Sequence, residues 1–158
     1  MKNPENPRGL VEIKTIGVEK ARELRDLGIE TASKMDVSGF LVVFSRTGMQ
    51  ECSEATGKAT PLNVHVALDK IKTVLAVRRS TRLQRKRMEG KGQSRDDFAD
   101  QLGSLFGGGV AVFEDEGLTQ FVGAMAFSGG TPEQDEEICK IAVEKSGLYT
   151  DLSENNAK

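Results

Sequence analysis

The chain holds one histidine, His65, and that single imidazole limits the metal chemistry open to it. Zinc sites built on two histidines and haem held by two histidines of one chain are excluded. His65 follows Thr60-Pro61, a pair that caps and starts a helix, so it falls in early helical turns. There the positive end of the dipole disfavours protonation and leaves a neutral imidazole able to ligate iron. The other reading is a surface histidine hydrogen-bonded to Asp69, one turn further on. Met49, Cys52 and Tyr149 are also residue types that ligate iron, and none has a spacing that selects it. Lys70 lies between apolar Ala67 and Ile71 on the same helix. That position predicts a partly buried ammonium, which needs a carboxylate or a bound acid beside it.

Two glycine clusters, Gly107-Gly108-Gly109 and Gly129-Gly130, could bare backbone N–H groups near a helix start, a common place for phosphate or carboxylate. Neither is a nucleotide motif, since no GxxxxGK run and no GxGxxG leading into a helix is present. Glu133 and Asp135 already bring negative charge there, which favours close turns with positive φ over an anion site. In the competing reading Gly130, Glu133 and Asp135 line a ligand pocket or a subunit contact.

The elements that must position these residues can be read from pattern. Val110–Phe113 and Leu118–Phe127 form a hairpin around the turn-forming Glu114-Asp115-Glu116-Gly117, with both faces apolar, as in a strand covered on each side. Strict alternation puts Phe121, Met125 and Phe127 on one face and Val122, Ala124 and Ala126 on the other. Thr131, Pro132 and Gln134 make a capping box with proline at the first helical position, and Gly147 ends that helix. Upstream, Val18–Met35 has apolar residues at helical spacing around Gly28, a glycine that costs about 1 kcal/mol against alanine and so implies a bend or close packing. Phe40–Ser45 is a buried strand, and Met49–Glu54 is its poorly apolar edge partner. The helix begun at Pro61 buries Val64, Ala67, Leu68, Ile71, Val74 and Leu75. Phe98, Leu102 and Leu105 suggest a short helix over Asp96–Leu105.

Eight of the chain's 22 basic residues fall between Arg78 and Arg95. This reads as a solvated connection rather than a nucleic-acid contact, because it lacks interleaved aromatics and belongs to no binding motif. At 158 residues and 37% apolar composition the chain is expected to form a single domain over residues 13–148, with a flexible arm (1–12) and a flexible tail (149–158). A net charge of -2 gives no general attraction to nucleic acid or membrane. No signal-peptide core or membrane span is visible, so a cytoplasmic location is expected. Cys52 and Cys139 have no CxxC spacing and are taken as reduced.

The run GGV followed by GAMAFSGGTPEQDEEI resembles the signature of the haem-binding, glycolate-operon protein family of the GlcG/HbpS type. Ala67-Leu68-Asp69-Lys70, Arg78-Arg79-Ser80-Thr81 and Val18-Glu19-Lys20-Ala21 resemble further segments of it, so the likeness runs over residues 16–147. The chain departs from the family at the first hairpin, where Ser45 and Met49 replace an aspartate and a histidine of the usual pattern. The resemblance implies an α+β fold, an antiparallel sheet flanked by helices in a profilin-like α/β/α arrangement, and a homo-oligomer. It also implies a non-catalytic small-molecule carrier, with haem as a candidate cofactor. His65 would then be the iron ligand, and Lys70 or Arg79 would hold a propionate. An enzyme or accessory acting on a small organic acid, using Glu133, Asp135 and Lys70 as acid–base groups, is the alternative. Nucleic-acid contact through residues 78–95 is the third reading.

Overall fold

The computed structural model describes residues 8–153. Its centre is β4 (Phe121–Ser128), all eight residues of which are buried. On one side β4 pairs antiparallel with β1 (Phe40–Ser45) and on the other with β3 (Gly109–Phe113), while β2 (Gln50–Ala55) extends the sheet beyond β1. The resulting order is β2-β1-β4-β3, with the charged β2 on an edge. Continuous apolar strands require cover on both faces. One face receives α1 (Val18–Lys34) and α4 (Pro132–Lys145), which enclose Leu41, Val43, Val110, Met125 and Phe127 with Leu24, Ile138 and Val143. The other receives α2 (Pro61–Val77), whose Ala67, Ile71 and Val74 pack on Val42, Ala111, Ala124 and Ala126. Four helices and a four-stranded antiparallel sheet make this the expected α+β fold. Gly28 sits where α1 meets the sheet, and a Cβ there would lie 2.8 Å from Met125 Cε and collide with Leu41. No helix among the described residues is long and apolar enough to cross a membrane.

Simple alternation fails at one point of β4. Val112 pairs with Gly123 but Phe113 pairs with Phe121, so Val122 is an inserted residue opposite β3. A bulge of this kind reverses the facing of the residues before it. Val122 therefore joins the α1/α4 side, and Phe121 joins the α2 side. There Phe121 meets Phe113 edge to face at 5.7 Å, beneath the Arg78 guanidinium.

The basic segment is also not a bare connection. Arg78, with φ 52°, ends α2, and α3 (Thr81–Glu89) follows with Thr81, Gln84 and Met88 buried. Its inner stripe is mostly polar, and hydrogen bonds from outside the helix satisfy it: Thr81 Oγ1 donates to Phe106 O at 2.6 Å, and Gln84 Oε1 accepts from Arg79 at 2.7 Å. Arg82 Nε lies 2.9 and 3.0 Å from the two carboxylate oxygens of Glu136 on α4. Of the helix expected over Asp96–Leu105 only a 3₁₀ turn, Arg95–Phe98, forms. Beyond it the backbone turns to α2, where Thr73 Oγ1 accepts from Gly103 N and donates to Ser104 O, both at 2.9 Å.

The end of the chain is tied down rather than frayed through Ser153. Tyr149 exchanges backbone hydrogen bonds with Phe113 of β3, and Leu152 is 3% exposed in the core. Asp151 accepts from Ser80 N at 2.9 Å and from Ser80 Oγ, fixing the start of α3. Residues 154–158 of the expected tail and 1–7 of the expected arm lie outside the described residues. Residues 8–12 are exposed and form no helix or strand.

Lys70 links the two helical layers at one corner of the sheet. From α2 its Nζ donates to Phe127 O of β4 and to Asp135 Oδ2 of α4, each at 2.9 Å. Asp135 Oδ1 accepts from Gly130 N at 2.8 Å. Lys70 is 2% exposed and Asp135 3%. Gly108, with φ +116°, leaves the opening through which the pair meets, since a Cβ there would lie 2.7 Å from both Lys70 Nζ and Asp135 Cβ. Among the glycines of the two clusters Gly108 alone has positive φ, so the others serve close approach rather than left-handed turns.

Two outcomes follow from this packing. Lys70→Met or Asp135→Asn alone leaves a buried charge without its partner and is expected to cost about 3–5 kcal/mol. In urea unfolding the double variant should lose clearly less than the sum of the two, and additive losses would contradict the coupling. Burial pushes the Asp151 carboxyl above its ordinary 3.8, against the Ser80 hydrogen bonds that pull it down. The stability linked to that raised value is present below the unfolded pKa and is lost as pH rises through the folded one. Comparing Asp151→Asn with the parent from acid to neutral pH should therefore show the parent falling relative to the variant.

Candidate functional site

A cavity of about 510 Å³ opens between α2, α3 and the turn at residues 103–106, lined by Val66, Asp69, Arg85, Arg95, Ser104, Leu105 and Phe106. Ligand pockets commonly fall between about 300 and 1,000 Å³. Val66 and Asp69 are one turn apart on α2, which places both on the flank facing α3. The turn is held on that flank by Thr73, by Ser104 N donating to Asp69 O at 3.2 Å, and by Thr81, which accepts from Gly109 N and donates to Phe106 O. Arg95 Nε donates to Gly103 O at 3.1 Å. Two buried threonines thus fix the wall that carries Leu105 and Phe106.

The lining is amphipathic. Val66, Leu105 and Phe106 supply the apolar part, and Phe106 is 62% exposed. Arg85, Arg95 and Asp69 supply the charge. Among the described residues Arg95 and Asp69 enter no ion pair, and Arg85 has only Glu89, at 3.8 Å. A flat, partly apolar molecule with an acidic group is the kind of ligand such a lining can hold.

The sequence candidates fall in different places. His65 is exposed on α2, next to Val66 and one turn before Asp69, and it makes no hydrogen bond among the described residues. The expected His65–Asp69 bond is therefore absent. Lys70, Asp135 and Gly130 come together, but in the enclosed corner, where the lysine and aspartate present almost no surface to a ligand. Arg79 is half-buried at the α2–α3 junction and is bound to Gln84. Glu133 is exposed on the first turn of α4. It does not join Lys70 and Asp135 in an acid–base constellation. Met49 is 63% exposed at the first hairpin, Cys52 accepts from Arg25 Nη1 at 3.4 Å, and Tyr149 is engaged with Phe113. Neither these three nor His65 line the cavity. No group of three or more histidine, cysteine, aspartate or glutamate side chains that could hold a metal ion occurs among the described residues.

Sequence reasoning passes over Arg85, Arg95, Leu105 and Phe106. The first two lie inside a run that reads as solvated, Leu105 reads as part of a helix stripe rather than a ligand wall, and Phe106 precedes a glycine cluster without a periodic signal of its own.

No curated protein matches the sequence. Solved structures show the same fold at low identity. The crystal structure of a PduOC–haem complex has a TM-score of 0.74 at 20% identity, covering 86% of this chain and 98% of that one. The crystal structure of HbpS gives 0.74 at 17%, covering 87% and 94%. A Klebsiella pneumoniae protein, ORFY, gives 0.76 at 23%, covering 88% and 95%. The family model described as haem degrading protein HbpS-like matches residues 16–144, and over that span, which takes in α1 through nearly all of α4, the chain is a member of the HbpS-like family.

Proposed function

We propose that this chain is a non-catalytic small-molecule-binding protein, and that its ligand, haem or a molecule of that kind, sits in the cavity between α2, α3 and the 103–106 turn. The observation that carries the reading is the lining itself, an apolar wall of Val66, Leu105 and Phe106 beside two guanidinium groups. The description of the family as haem degrading and the haem complex of a protein with the same fold support haem as the ligand class. When bound, haem supplies iron-centred redox and ligand-exchange chemistry. The chain's own part is to bind and orient it.

His65 is the proposed iron ligand: it does not line the cavity itself, but it is an unengaged imidazole on α2, beside the lining residue Val66 and one turn before Asp69. Gly130 and the Lys70–Asp135 pair act on the ligand indirectly, by holding the corner from which α2 presents that wall. Arg79 acts by fixing Gln84 of α3, and Glu133 adds negative charge at the start of α4. Catalysis by Lys70 and Asp135 on a small acid is disfavoured because each is consumed by the other. Nucleic-acid contact is disfavoured because Arg82 is paired with Glu136 and Arg85 faces the cavity. We further propose that the protein acts in the cytoplasm and, in line with the family resemblance, as a homo-oligomer.

Haemin titration should give a saturable Soret shift. His65→Ala, an exposed change that leaves the thermal unfolding midpoint in place, should weaken the binding by at least about tenfold, or about 1.4 kcal/mol. No saturable shift in the parent protein removes the haem reading, and an unchanged affinity in the variant removes His65 from the iron.

A further inference from the structure

Arg85 and Arg95 are the two cations of the cavity, and neither is satisfied within the described chain. Arg95 uses its Nε on Gly103 O at 3.1 Å, which fixes the guanidinium plane and leaves both Nη groups without a carboxylate partner. Arg85 has only the exposed Glu89 at 3.8 Å, a contact beyond hydrogen-bond length that contributes little in water. By contrast Arg82, a neighbour on α3, has a close carboxylate partner, its Nε lying 2.9 and 3.0 Å from the two oxygens of Glu136. Planar guanidinium groups with free Nη pairs bind carboxylates in a two-pronged fashion. The same cavity carries apolar surface that includes Phe106, 62% exposed, which a flat ligand would remove from water.

We infer that Arg85 and Arg95 form a carboxylate clamp, so that the cavity selects flat apolar ligands by their acid groups, independently of any metal they carry. The clamp rests on the cavity being the ligand site. It does not need His65 to bind iron. Asp69 sets the limit of the selection: it lines the same cavity without an ion-pair partner, so acid groups must lie toward the arginines and away from α2. Neutral ligands of the same shape keep the apolar contact and lose the charge-assisted bonds.

The test uses metal-free protoporphyrin IX and its dimethyl ester, which have the same ring but differ in the carboxylates, with binding followed by porphyrin fluorescence. The intact protein should bind the diacid at least about tenfold more tightly than the ester, and raised salt should narrow the difference. Arg85→Gln breaks no bond shorter than 3.8 Å and should reduce the preference. Arg85→Gln with Arg95→Gln should abolish it, the diacid then binding no more tightly than the ester. Equal affinity of the parent for diacid and ester overturns the clamp, as does a preference that survives the double substitution. If haemin binding depends on His65 while the porphyrin preference is absent, the clamp falls and the haem reading stands. If the preference is present and His65→Ala has no effect on haemin, the clamp stands and iron ligation by His65 falls.

Discussion

One buried ammonium governs the arrangement of this molecule. Lys70 starts on one face of the sheet and ends on a carboxylate from the other, so a buried charge pair joins the two helical layers in addition to apolar packing. An ammonium withdrawn from water is tolerated only when its bonds are replaced. Here Phe127 O and Asp135 replace them, and Asp135 is oriented in turn by Gly130 N. The opening exists because residue 108 has no side chain. Glycine, lysine and aspartate thus form one steric and electrostatic unit drawn from three elements remote in sequence.

The cavity is the outward consequence of that corner. Adjacent residues of α2 face opposite fates: Lys70 turns inward to the pair, while Asp69 and Val66 look onto the turn at residues 103–106. Thr73 and Thr81 fasten that turn through backbone groups that no regular element uses. Polar side chains in the interior therefore position the site, and apolar ones build the body. Among the described residues no buried side-chain nitrogen or oxygen lacks a partner, so the site is framed by a satisfied network that resists local rearrangement.

How much of this could be read from the chain depends on how local each cause is. The start of α4 was legible because Thr131 and Gln134 cap each other within one turn, with the two reciprocal bonds at 3.0 and 3.2 Å. The strands were legible because apolar cover on both faces leaves an unbroken apolar run. The helix α3 was not, since its inward residues Thr81 and Gln84 are polar and are satisfied by Phe106 and Arg79 rather than by a recognisable stripe. Phe121 was put on the wrong face because the inserted Val122 is defined by pairing with β3 and leaves no mark in composition. At the site, the need of Lys70 for a carboxylate could be stated in advance, but the convergence of Arg85, Arg95 and Phe106 on one hollow is a product of tertiary placement.

The anchoring of Ser80 by Asp151 makes the start of α3 depend on a distant part of the chain. The cap that sets the start of α3 comes from 71 positions downstream, and the strand beside it is extended by Tyr149. The orientation of α3 therefore depends on a contact between residues far apart in the chain, a non-local closure whose loop entropy must be met before the contact repays it.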